Sequence, residues 1–186
     1  MINLEDYGLE KVLKLGIGNT LKSRIVLDVV HAMKYIHEIG MMHRNVKVEN
    51  IMLNSLSMTK LVDFGLVRIE EMAFDGFSFD KETLSLTKGL GTFAYMSPEM
   101  AREENYNFKT DVYSFGIVLY CIFTGKLPEF SLKDKMNGEM PEMPKPSFAI
   151  SQFCIDLISR CLDKLPSERP SFDEILNSMR ENEFKF

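Results

Sequence analysis

The sequence predicts a mainly α fold, a helical bundle carrying one short β-hairpin, and three observations lead there. Leu21, Ile25, Val29, Met33 and Ile36 recur at helical spacing through Thr20 to Ile39, a period that gathers apolar side chains on one helix face. Asp111 to Thr124 is apolar nearly all round, as suits a fully buried helix. Only two stretches, Asn50 to Leu53 and Lys60 to Val62, have the shortness and turn-rich flanks of strands.

Taken in chain order, the first long helix has Asn19 or Thr20 as cap and Gly40 as stop. Just before it, Leu15-Gly16-Ile17-Gly18-Asn19-Thr20 contains a Gly-x-Gly pair. That pair alone is a weak phosphate-loop signal. No third Gly follows, and no strand ending in Val-Ala-x-Lys, so a helix-to-helix turn is expected. Asn54-Ser55-Leu56-Ser57 joins the two strands of the hairpin. Lys126 to Pro146 is punctuated by Pro128, Pro141, Pro144 and Pro146. Phe148 to Leu162 is amphipathic, and Ser171-Phe172-Asp173-Glu174 is a capping box. It opens a last helix whose inner face is Phe172, Ile175, Leu176 and Met179.

At 186 residues the chain fits one domain, residues 1–186, with a sizeable core. Its 45% hydrophobic and 26% charged content is ordinary for a globular protein. A net charge of −5 gives no reason to expect nucleic acid or an anionic membrane as partner. The N-terminus has no basic region and no apolar core, so no signal peptide is expected. The longest apolar run, Phe115 to Phe123, covers half a membrane span. Cys121, Cys154 and Cys161 have no metal-binding spacing. They read as small core residues in a reducing compartment, which makes a cytoplasmic location the expectation.

Five motifs then appear in one order. His43-Arg44-Asn45-Val46-Lys47-Val48-Glu49-Asn50 is followed, thirteen residues after Asn50, by Asp63-Phe64-Gly65. Next come Gly91-Thr92-Phe93-Ala94-Tyr95-Met96-Ser97-Pro98-Glu99, Asp111-Val112-Tyr113-Ser114-Phe115-Gly116 and Arg169-Pro170-Ser171-Phe172. Singly each is weak. Together, from about Leu9 to about Arg180, they resemble the large C-terminal lobe of protein kinases. The catalytic loop matches 43–50 and the activation segment 63–99. Lys47 resembles the Ser/Thr type, and Arg-Pro-Ser-Phe the tyrosine-kinase-like group.

The resemblance implies roles residue by residue. Asn45 stands where the family has the Asp that accepts the substrate hydroxyl's proton. A carboxamide cannot hold that proton at neutral pH. Lys47 would neutralise γ-phosphate charge, Asn50 and Asp63 would hold Mg2+, and Met52 would face the nucleotide. ATP and Mg2+ are therefore the expected cofactors, bound weakly if at all. His43 would pack under Phe64 as a structural residue. His31 and His37 are expected to be non-catalytic. Glu99 and Arg169 resemble a buried ion pair. Asp111 resembles a carboxylate holding the catalytic loop's backbone, or is a plain N-cap. Thr92 resembles the substrate-side Thr and could still bond Asn45. Arg44 resembles part of an anion pocket for a phosphorylated activation loop, with Ser78, Thr83, Ser85 and Thr87 as acceptors. An unmodified, mobile loop is the equal alternative.

Only 42 residues precede His43, too few for a kinase's small lobe with its Gly-rich loop and strand Lys. The expectation is a large lobe without its N-lobe and with catalysis lost. It would serve as an interaction or regulatory module, or be a gene fragment. The alternative is an active Ser/Thr kinase completed by upstream sequence or another chain. The face around Met52, Phe64 and the chain start should expose apolar surface, so a protein partner or self-association is expected.

Overall fold

The computed structural model describes residues 7–54, 58–69, 90–129, 131–147 and 150–182, with the backbone alone at 69, 90–92 and 132. Two long helices supply the largest shares of the described core. Helix α2 (Asn19–Glu38) follows a short α1 (Leu9–Lys14) and buries Ile25, Val26, Val29, Val30, Met33 and Ile36 along one stripe. Gly40, at φ 75°, then turns the chain, in the left-handed region that lacks a Cβ penalty for glycine. The Gly-x-Gly segment links α1 to α2, the helix-to-helix turn anticipated above.

The central helix, numbered α5 below, spans Lys109–Thr124 and is buried from Thr110 to Phe123 without a break. It starts two residues before the predicted boundary. Around it lie α3 (Leu90–Tyr95), α4 (Pro98–Ala101), α6 (Leu132–Asn137), α7 (Gln152–Cys161) and α8 (Phe172–Glu181). Helix α7 packs on α5, and α8 packs on α2. Ser171 and Glu174 form the expected capping box, Ser171 N–H donating to Glu174 Oε2 at 2.6 Å. The three cysteines are buried and unpaired. No described helix is long and apolar enough to cross a membrane.

The β-structure is richer than one hairpin. Strands β3 (Ile51–Leu53) and β4 (Thr59–Leu61) pair antiparallel, with Ile51 opposite Leu61. A third strand, β1 (Tyr7–Gly8), pairs with the other edge of β3, Gly8 opposite Met52. A separate ladder joins β2 (Met41–Met42) to β5 (Arg68–Ile69). Strands of two residues have no period to detect, and their pairing is set by distant parts of the chain.

Candidate functional site

Asp111 organises the loop that carries the site. It lies in the first turn of α5, and its carboxylate accepts the backbone N–H of His43 at 2.8 Å and of Arg44 at 2.7 Å. His37 Nε2 lies 3.0 Å from the same group. The plain N-cap alternative does not hold, because the cap position is Phe108 and Asp111's bonds go to the loop. These bonds explain how Arg44 keeps a φ of 64°. A non-glycine residue there costs about 1–3 kcal/mol and needs outside support.

Asn45, Asn50 and Asp63 come together. The Val62 N–H donates to the Asn50 carbonyl at 2.9 Å, which brings the next residue against the loop. Asn45 Nδ2 donates to Asp63 Oδ2 at 2.7 Å, and Asn50 Nδ2 lies 3.4 Å from that oxygen. Asn50 Nδ2 also donates to the Asn45 carbonyl at 2.8 Å. Both asparagines are buried, whereas Asp63 is exposed and sits at φ 66°.

His43 is fully buried, with its ring centroid 4.9 Å from that of Phe64. Burial pushes its pKa down, and its Nδ1 accepts the Asn45 N–H at 3.3 Å. A neutral ring with Nδ1 as acceptor carries its proton on Nε2. Phe64 itself is 47% exposed. Lys47 is half-buried in an extended conformation before the turn Val48–Asn50. On β3 the buried side chains are Ile51 and Leu53, so Met52 faces the other side, toward Gly8.

Arg44 is buried, and its guanidinium lies 5.8 Å from the Tyr106 ring centroid. Ser78, Thr83, Ser85 and Thr87 lie outside the described residues, as does the side chain of Thr92. A small pocket beside Asn45 is lined by Arg44, Asn45, Val46, Tyr95, Met96, Met100 and Ser114.

Glu99 and Arg169 meet in a buried fork. Arg169 Nη1 and Nη2 donate to the two Glu99 oxygens at 2.7 and 2.8 Å. Thr110 Oγ1 adds a bond to Glu99 at 2.9 Å. Burial alone would raise the Glu99 pKa, but the guanidinium overrides it and holds the group below its usual range.

Two residues escaped the sequence reading. His37, set aside there, is bonded to Asp111, and only its spacing from His43 could have hinted at this. Lys135 is fully buried, donating to the Ala94 carbonyl at 2.7 Å and to Tyr113 Oη at 3.3 Å. No sequence signal separates it from a surface lysine.

A family profile described as the protein kinase domain matches residues 4–179. The chain is similar to a serine/threonine/tyrosine-protein kinase of Arabidopsis thaliana, 35% identical over 166 residues, covering 82% of this chain and 38% of that protein. It is similar to a dual specificity protein kinase of Dictyostelium discoideum at 32% over 184 residues, covering 97% of this chain and 13% of that protein. A serine/threonine-protein kinase of Arabidopsis thaliana is 29% identical over 168 residues, covering 85% of this chain and 26% of that protein. The chain thus spans well under half the length of these relatives. With the profile matched across almost its whole length, and with the loop, helix and ion-pair geometry above, this chain belongs to the protein kinase domain family.

Proposed function

We propose that this protein is a Ser/Thr-type kinase domain with impaired phosphoryl transfer, acting through protein contacts as a regulatory or interaction module of the cytoplasm. One observation carries the reading. The side chain at the proton-accepting position is Asn45, and its nitrogen is spent on Asp63 at 2.7 Å. An amide offers a donor and a very weakly basic oxygen. Loss of a general base typically removes about 10²–10⁴-fold of rate.

The cofactor end of the site fits its expected occupants. Asp63 supplies a carboxylate, and Asn50, whose nitrogen is committed to Asn45, has its oxygen left as the side chain's acceptor. Hard oxygen donors of this kind, completed by phosphates and water, suit Mg2+. No group of three or more His, Cys, Asp or Glu among the described residues could hold a metal by itself. When bound, ATP and Mg2+ would supply the transferable phosphoryl group and the neutralising charge. Asp63 and Asn50 would hold the metal, and Lys47 would meet the phosphates. Exposed Tyr7, Met58 and Phe64, on and beside the three-stranded sheet, support a role in protein contacts.

The intact Asp63–Asn50 pair favours a second reading, an active kinase. Kinase transition states are loose, so alignment outweighs the base. Transfer of labelled phosphate from ATP to protein Ser or Thr, by the full-length gene product beside its Asp63→Ala variant, separates the two. We expect no transfer above the variant. Robust transfer that vanishes in Asp63→Ala establishes the active kinase instead.

A further inference from the structure

We propose that the neutral Asn45 carboxamide takes the place of a counter-cation, its N–H holding the Asp63 oxygen that a divalent ion ligated by Asp63 and Asn50 would need. The chain then accepts such an ion weakly, and only with Asn45 turned aside. This rests on the kinase-like reading of the site and adds a regulator of its metal affinity.

Three distances carry the inference. Asn45 Nδ2 lies 2.7 Å from Asp63 Oδ2, in the short range of charge-assisted hydrogen bonds. Asn50 Nδ2 approaches the same oxygen at 3.4 Å. It is held there by its 2.8 Å bond to the Asn45 carbonyl. The positive ends of two amide dipoles therefore converge on one carboxylate oxygen, the place where a cation's charge would act. With Asp at position 45 the same geometry would set carboxylate against carboxylate, an arrangement that calls for a cation or a proton between them. Asparagine removes that demand. It also braces Asp63 at its φ of 66°, a conformation that needs local support outside glycine.

For a metal to bridge Asn50 and Asp63, Asn50 must present its oxygen, and Asn45 must release Oδ2. The second step sets the cost. It amounts to one charge-assisted hydrogen bond, about tenfold in affinity.

Mn2+ binding to the full-length protein without nucleotide, followed by loss of the free-ion electron paramagnetic resonance signal, tests this. Asn45→Ala should bind Mn2+ about tenfold more tightly than the unaltered protein, Asn45→Asp more tightly still, and Asp63→Asn should abolish binding. Equal or weaker binding by Asn45→Ala overturns the proposal, as does no Mn2+ binding by any variant. A second measurement needs no substitution. The Asn45 side-chain NH2 resonances should move toward free-amide positions as Mg2+ is added; resonances unmoved at saturating Mg2+ overturn the proposal. The outcomes stay separable from the functional reading. Phosphoryl transfer by the unaltered protein would sink that reading and leave the Mn2+ order standing. Equal affinities would sink the counter-cation and leave the inactivity standing.

Discussion

Arg169 shows how much one side chain can hold. Its Nε donates to the Asp163 carbonyl at 2.8 Å, Nη1 to Glu99 and to the Lys109 carbonyl, and Nη2 to Glu99. Its guanidinium carbon lies 5.0 Å from the Tyr113 ring centroid. One residue thus ties α4, α5 and the turn before α8 together. Replacing a buried pair by apolar groups is often neutral, but removing one partner strands a buried charge. Arg169→Ala should therefore lower the unfolding free energy by about 3–5 kcal/mol. Arg169→Lys should recover part of it, since an ammonium has no planar fork to match the carboxylate. Urea denaturation checks both; an unchanged midpoint for Arg169→Ala would contradict the account. The pairing of Glu99 with Arg169 was legible from their motifs. Asp163, Lys109 and Thr110 were not, because carbonyl and hydroxyl partners leave no mark on a sequence.

At the scale of elements, close approach decides more than pattern. Gly116 lies mid-way along α5, where glycine costs about 1 kcal/mol relative to alanine. Its place is explained by α7. A Cβ at Gly116 would stand 2.8 Å from Cys161 Cβ and 2.8 Å from Leu162 Cδ2. The leucine end can shift, but the cysteine Cβ is fixed to its backbone. Gly116→Ala should therefore destabilise by about 1–3 kcal/mol despite alanine's better helix propensity, because overpacking outweighs it. A thermal melt of Gly116→Ala above that of the unaltered protein would show that α5 and α7 separate easily. The long helices and the capped α8 announce themselves by period and by Ser171. Helices α3, α4 and α6 have six residues or fewer. They are too short for a period and owe their form to packing.

Across the whole molecule, Lys135 joins parts far apart in sequence. From α6 it reaches the Ala94 carbonyl in α3 and Tyr113 in α5, its Nζ 4.7 Å from the Tyr113 ring centroid. Burial, helped by the Arg169 charge and opposed by that of Glu99, pushes its pKa from 10.5 down to about 7. The sign follows. Between pH 7 and 10.5 the unfolded lysine binds a proton that the folded one has lost, so stability rises with pH through that window. The gain is complete above the unfolded pKa and fades as pH falls through the folded one. The amplitude is on the order of a few kcal/mol. Cys, Tyr and the other Lys residues, which also titrate toward pH 10, affect both proteins alike, so the difference between unaltered protein and Lys135→Met isolates this group. The unaltered protein should gain on the variant as pH rises from 7 toward 10. Parallel denaturation curves across that range would refute the assignment.

Local order was written in the chain itself. Hydrophobic period placed α2, α5, α7 and α8, turn residues placed the β3–β4 hairpin, and five ordered motifs placed the loop, the Asp63 turn and the ends of the ion pair. Those features depend on residues near one another, and near neighbours are what a sequence records. What only the tertiary structure decided is which distant groups meet. It added β1 to β3 and β5 to β2. It brought His37 to Asp111 and buried Lys135 under the Ala94 carbonyl. It also turned the Asn45 amide onto Asp63. Each of these is a contact across loop closure, paid for by packing elsewhere in the fold, and no local pattern encodes it.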